Sequence, residues 1–180
     1  MPKASLASGK IGENVIQYND ILIRPWHEKD SVTELTELLH RGYKALADAG
    51  MHFVASHQSD EVTRDRITKG TCFVAESNAK LVGTISLYDA KISEHFSKIS
   101  DGYFGQYCVE PSLRTSGLGS RLLSLVEDLA RERGMKTLAF DTSEHATDLI
   151  KFYERRGYEF VGHVRWPEVN YRSVTMLKHL

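Results

Sequence analysis

Val109-Glu110-Pro111-Ser112-Leu113-Arg114-Thr115-Ser116-Gly117-Leu118-Gly119-Ser120 joins two stretches of different periodicity. Ahead of it, Tyr103 to Val109 is rich in aromatic residues and reads as a strand ended by Glu110-Pro111. Behind it, Leu122, Leu125, Val126, Leu129 and Ala130 recur at helical spacing, with Arg121, Glu127, Asp128, Arg131 and Glu132 on the other face. A helix is therefore predicted over 119–133, closed by Gly134. The core of the junction is Arg-x-x-Gly-x-Gly, a pattern that recurs by chance in roughly one chain in twenty. Its placement after a strand and at a helix opening gives it meaning. The first amides of a helix lack intrahelical acceptors, and the macrodipole puts partial positive charge there. Gly117 and Gly119 let the backbone turn and approach a ligand closely, and Arg114 adds a full charge. Residues Arg114, Thr115, Ser116, Gly117, Leu118, Gly119 and Ser120 are thus expected to cradle a pyrophosphate. A turn alone would need only one glycine. The third glycine of a dinucleotide fingerprint is replaced by Leu122, and no Gly-Lys-Ser/Thr triplet of a Walker loop occurs.

Working outward, Ile21 to Pro25 reads as a short strand, and residues 1–19 as a loose extension ahead of a single domain over 20–180. Ser31-Val32-Thr33-Glu34 has the capping-box pattern, and Val32, Leu35, Leu38, Leu39 and Leu46 carry a helix to Asp48. A shorter helix is predicted over 59–69 after an irregular link at 51–58. Residues 71–76 and 81–87 read as a hairpin turning at Asn78-Ala79, and 88–101 as mostly loop. Past the long helix come a strand at 136–141, a helix capped by Ser143 and running to Arg156, and strands at 158–164 and 174–178. Strands and helices mixed over one core give an α/β or α+β fold.

Composition narrows the function. Hydrophobic residues make 41% of the chain and charged residues 26%, which suits a packed globular domain rather than a disordered or fibrous one. Twenty-three Lys and Arg against twenty-four Asp and Glu argue against a dedicated nucleic-acid binder or a polybasic membrane binder. Cys72 and Cys108 sit in apolar stretches and are expected to be buried free thiols. The start of the chain lacks the apolar segment of a signal peptide, no Asn-x-Ser/Thr sequon occurs, and a cytoplasmic location is expected. The eight histidines show no metal-ligand spacing, so no metal is expected.

From about residue 20 to 178 the chain resembles a GNAT-type N-acetyltransferase, a family that uses acetyl-CoA. The resemblance rests on Val109-x-Pro111 with Arg114-x-x-Gly117-x-Gly119-x-x-Leu122-Leu123, on Phe152-Tyr153-Glu154-Arg155-Arg156-Gly157-Tyr158, and on the order of strands and helices. It implies a mixed, mostly antiparallel sheet flanked by about four helices and splayed between the fourth and fifth strands, counting Ile21–Pro25 as the first. It also implies that the backbone of Val109 and Cys108 pairs with the pantetheine arm, that Arg114 to Ser120 hold the pyrophosphate, and that Tyr153 reaches the thioester sulfur. Where the family often has an asparagine contacting the cofactor, this chain has Ala146, and His145 or Thr147 is expected to stand in. The implied reaction is direct attack by a primary amine of a small molecule or peptide within a ternary complex. A homodimer is compatible with the resemblance, and no nucleic acid or membrane partner is expected.

Acetyl transfer needs a base for the amine, donors for the developing oxyanion and an acid for the leaving thiolate. Tyr153 is the expected acid. The family commonly places a glutamate base on or beside its fourth strand, but here that strand has no acid. Glu110, directly after it, is taken as the candidate base, with Glu76, Asp89, Asp141 and His145 as alternatives. The missing strand acid also motivates another reading, a non-catalytic GNAT-fold module that binds CoA or a metabolite. The acceptor wall is expected from the 51–60 link and the 88–101 loop.

Overall fold

The computed structural model describes residues 15–180. In chain order its elements are β1 (Ile16–Tyr18), β2 (Ile21–Pro25), α1 (Val32–Asp48), α2 (Asp60–Thr68), β3 (Thr71–Ser77), β4 (Lys80–Asp89), β5 (Gly102–Val109), α3 (Leu118–Glu132), β6 (Thr137–Ser143), α4 (Thr147–Glu154), β7 (Glu159–Val164) and β8 (Ser173–His179). The strands form one sheet in the order β1-β2-β3-β4-β5-β6-β8-β7. Every neighbouring pair is antiparallel except β5 and β6.

Alternation along the strands sets the layers. On β3, Phe73 and Ala75 face a core shared with Leu122, Leu125, Val126 and Leu129 of α3 and Tyr153 of α4. Cys72 and Val74 face the opposite side, where Leu35, Leu38 and Leu39 of α1 and Ile67 of α2 cover them. Both cysteines are buried and free, as their apolar surroundings predict. Ser31 caps α1 by accepting from the Glu34 amide at 3.2 Å. The Glu34 carboxylate does not complete the capping box; it accepts from the Leu81 amide at 2.8 Å and ties α1 to β4.

Two boundaries differ from the sequence reading by more than two residues. Ile16–Tyr18 pairs with β2 and belongs to the sheet, so this part of the expected extension is structured; the expectation for 1–14 lies outside the described residues. Three residues are too few to show alternation, and only the pairing reveals the strand. Ser143 does not cap α4. It ends β6, buried, and its hydroxyl accepts from the His145 amide at 3.2 Å, while α4 starts at Thr147 without a side-chain cap.

The sheet opens in the middle. The parallel pairing of β5 with β6 covers only Gly102↔Leu138 and Tyr103↔Ala139, although β5 continues to Val109 and β6 to Ser143. Beyond Tyr103 the two strands diverge and leave one edge of β5 without a strand partner.

Candidate functional site

The open edge of β5 is shaped by a bulge. Thr84 pairs with Cys108 and Ser86 with Gly105, so Gln106 and Tyr107 together oppose Ile85. Gln106 has φ +48°, a left-handed backbone rare for a residue with a side chain. Its Oε1 accepts from Gln58 Nε2 at 2.9 Å, and that amide also donates to Thr63 Oγ1 at 2.7 Å, anchoring the bulge to α2. After the bulge, the Glu110 amide donates to the Val82 carbonyl at 2.8 Å, toward β4. Strand alternation then turns the amide and carbonyl of Val109 into the gap and those of Cys108 toward β4. The Tyr107 carbonyl, on the same side as Val109, accepts from the Tyr43 hydroxyl at 3.1 Å. Val109 thus offers its backbone to an extended ligand, whereas Cys108 gives its side chain to the seam under α1, where a Cβ on Gly42 would lie 2.6 Å from the Cys108 Cβ.

At the end of β5 the chain turns into α3. Gly117 has φ +84°, and a Cβ there would come within 2.7 Å of the Tyr18 hydroxyl, which itself donates to the Ser116 carbonyl at 2.9 Å. A Cβ on Gly119 would lie 3.0 Å from the Tyr107 hydroxyl. The first α3 amide to bond back is that of Arg121, to the Gly117 carbonyl at 3.0 Å, so the amides of Gly119 and Ser120 have no helical acceptor by position. No acidic residue occupies the first turn of α3, which keeps that end favourable for an anion. Leu118 is wholly buried in the core, so only its backbone can face a ligand. Its amide donates to the Ser116 hydroxyl at 3.3 Å. Thr115 is exposed. The Arg114 guanidinium donates to the Gly42 carbonyl at 2.8 Å, joining the loop to α1.

Two cavities meet in the gap. One, of about 530 Å³, lies against Val109, Arg114, Gly117, Gly119 and the α4 residues Phe152 and Tyr153. The other, of about 730 Å³, lies against α2, the loop after β4 and the β7–β8 loop. Tyr43, Phe53, Phe104, Gly105 and Asp141 line both. Tyr153 is 6% exposed, with its ring 3.9 Å from that of Phe140, and its hydroxyl has no hydrogen-bond partner among the described residues. Burial pushes its pKa well above that of free tyrosine, so it stays protonated. Asp141, half-buried on β6, accepts from Trp166 Nε1 at 2.9 Å through Oδ2, and its Oδ1 carries no bond among the described residues. Burial raises its pKa above the usual carboxylate value, against the opposing pulls of the Ser173 hydroxyl and the Trp166 N–H.

The other expected residues fall elsewhere. Glu110 is bound to Arg41 of α1 at 3.0 Å and lines neither cavity, so the structure does not bring the candidate base to the gap. The reason is the turn at Pro111, which leaves the Glu110 side chain on the α1 side. Glu76 is held by Arg24 at 2.8 Å, and Asp89 caps the short helical turn after β4 by accepting from the Lys91 amide at 2.9 Å. His145 is exposed and also lines neither cavity. Of the carboxylates weighed from sequence, only Asp141 reaches the gap. Gln106, Tyr43 and Tyr107 were not anticipated there. No local pattern marks a bulge at Gln106, and Tyr43 reads as one more residue of an amphipathic helix.

A Bacillus subtilis protein named as an uncharacterised N-acetyltransferase, YhfO, is 35% identical over 86 residues, 48% of this chain and 56% of that protein. The chain spans about half the length of the curated relatives it matches. In fold it is similar to PH1933 of Pyrococcus horikoshii, with a TM-score of 0.71 at 22% identity over 89% of this chain and 98% of that one. A GNAT family acetyltransferase of Elizabethkingia anophelis with acetyl-CoA bound gives a TM-score of 0.65 at 16% identity, over 91% of this chain and all of that one. The model of the acetyltransferase (GNAT) family matches residues 32–158, a span holding the open β5 edge, the glycine cradle, Asp141 and Tyr153, and the chain belongs to that family.

Proposed function

We propose that the protein transfers an acetyl group from acetyl-CoA to a primary amine by direct attack. The observation that carries this reading is the meeting of two cavities at one gap, with a neutral tyrosine lining one and a carboxylate lining both. The residues present fit the co-substrate. Val109 offers an unpaired backbone edge to an extended amide-bearing arm. The α3 amides and the cradle that a Cβ on Gly119 would crowd suit a pyrophosphate, and Arg114 lies within a side-chain swing of it. Bound acetyl-CoA supplies the acetyl group as a thioester. Asp141 accepts the proton of the attacking amine through Oδ1, and its raised pKa makes it a stronger base than an ordinary carboxylate. Backbone amides of the Gln106–Tyr107 bulge are the donors for the negative charge growing on the acetyl oxygen. As the new C–N bond forms and the C–S bond breaks, the Tyr153 hydroxyl gives its proton to the sulfur.

Asp141 also weakens the case for a non-catalytic CoA-binding module, which rested on the lack of an acid on β5. Thioester consumption against a panel of amines separates the two. Turnover that vanishes in Asp141→Asn while acetyl-CoA still binds supports transfer. Tight acetyl-CoA binding without turnover on any amine supports the binding module.

A further inference from the structure

The larger cavity holds a cation left unpaired among the described residues. Arg66, on α2, is half-buried, lines this cavity and makes no hydrogen bond or ion pair among the described residues. The other charges of the wall are different. Lys69 is bound to Asp65 at 2.6 Å, Glu94 is bound to Lys98 at 3.0 Å, and Glu168 is exposed. A guanidinium drawn partly out of water and left unpaired is costly unless a ligand completes it. Its charge reaches across the cavity, where it bears on Asp141, Tyr103 and Tyr171. The walls between are aromatic. Phe96 stacks on Tyr103 with centroids 4.3 Å apart, Tyr103 on Tyr88 at 4.8 Å, and Trp166 closes the side above Asp141.

We infer that the acceptor is an amine that also bears an oxyanion, a carboxylate or phosphonate, on an aromatic or apolar body, with Arg66 holding the anion while Asp141 faces the amine. This rests on the acetyltransferase reading above. Arg66 can grip either oxyanion through two parallel N–H bonds, and the stacked rings suit a flat or apolar body. Polyamines and aminoglycosides, which carry only cations, would leave Arg66 unpaired and repelled.

The test uses matched acceptors with the whole chain: L-phenylalanine, its uncharged amide, phenethylamine, and 1-amino-2-phenylethylphosphonate. Acetyl-CoA binding is measured first by calorimetry. Wild type is expected to acetylate the carboxylate or phosphonate compound with kcat/KM about 10–100-fold above that of the amide and of phenethylamine. The two acids, compared with each other, tell which oxyanion is preferred. In Arg66→Gln that ratio falls to about one, chiefly through KM, and Arg66→Lys restores part of it, while acetyl-CoA affinity and melting temperature hold. If acetyl-CoA binds and the amide or phenethylamine is acetylated as well as the acids, or in place of them, the inference is overturned alone. An Arg66→Gln chain that keeps the discrimination also overturns it. Failure to bind acetyl-CoA, or binding it without turnover on any amine, overturns the acetyltransferase reading beneath it.

Discussion

At the scale of single residues, the two groups proposed to handle protons, Tyr153 and Asp141, are set apart by the same burial acting on different chemistry. A buried phenol stays neutral and keeps its proton, whereas a buried carboxyl holds its proton to higher pH. Tyr153→Phe keeps the ring against Phe140 and removes only the donor. Single-turnover acetylation is expected to fall about 10²–10⁴-fold, with acetyl-CoA affinity and melting temperature unchanged. A wild-type rate would reduce Tyr153 to packing. Asp141→Asn is expected to cost a similar factor and to remove the acidic limb of the pH–rate profile, which in wild type lies above the ordinary carboxylate range. Stability has the opposite sign. With the folded pKa raised, the stabilisation tied to protonated Asp141 is complete below the unfolded carboxyl value and is lost as pH rises through the folded one. At pH 7 to 8 the ionised carboxylate therefore burdens the fold, and Asp141→Asn is expected to be as stable as wild type or more so, by up to about 2 kcal/mol in urea denaturation. A variant that loses activity and stability together would make Asp141 a structural partner of Trp166.

At the scale of elements, the site depends on how closely α1 approaches β5. Gly42 permits that approach, since a Cβ there would lie 2.6 Å from the Cys108 Cβ and 2.9 Å from its Sγ. Two effects compete in Gly42→Ala. Alanine in a helix interior gains about 1 kcal/mol over glycine, while overpacking a closed seam costs about 1–3 kcal/mol. The clash is with a β-carbon on a central strand, which cannot rotate away, so the net expectation is a loss of up to about 2 kcal/mol in urea denaturation. Acetyl-CoA affinity is expected to fall with it, because displaced α1 carries the Gly42 carbonyl that holds Arg114 and the Tyr43 hydroxyl that holds the bulge. A stabilised variant would mean that the seam relaxes. What the sequence made legible follows the length and regularity of the elements. The α3 stripe is long and one-sided, and its prediction matched within a residue at each end. β1 has three residues and is defined only by its partner. Ser143 had the right chemistry for a cap, but the buried ladder with Ser173 kept it in β6.

At the scale of the whole molecule, the site is a fault in a continuous sheet. The half formed by β1–β5 and the half formed by β6–β8 share two paired positions, with α3 and α4 packed across the join. The cradle could be read locally, since strand, glycines and helix follow one another in the chain. The proposed base could not be singled out that way, because Asp141 lies on β6, and only the divergence of β6 from β5 brings it to the gap. Such a fault makes the molecule sensitive to whatever fills it. A ligand at one hundred times its Kd stabilises by about 2.7 kcal/mol, and for a chain of this size about 1 kcal/mol moves Tm by roughly 2–4 °C. Acetyl-CoA at that concentration is therefore expected to raise Tm by about 5–11 °C. Replacing Arg114 by Ala removes a charged contact to the pyrophosphate and is expected to weaken binding about 10–100-fold. At the same acetyl-CoA concentration the stabilisation then drops to about 0.4–1.4 kcal/mol, a shift of roughly 1–6 °C. Raising the salt is expected to shrink the gap between the two proteins, because an exposed arginine is screened. Equal shifts at low salt would place the pyrophosphate away from Arg114, and leave that side chain as a strut between the loop and α1.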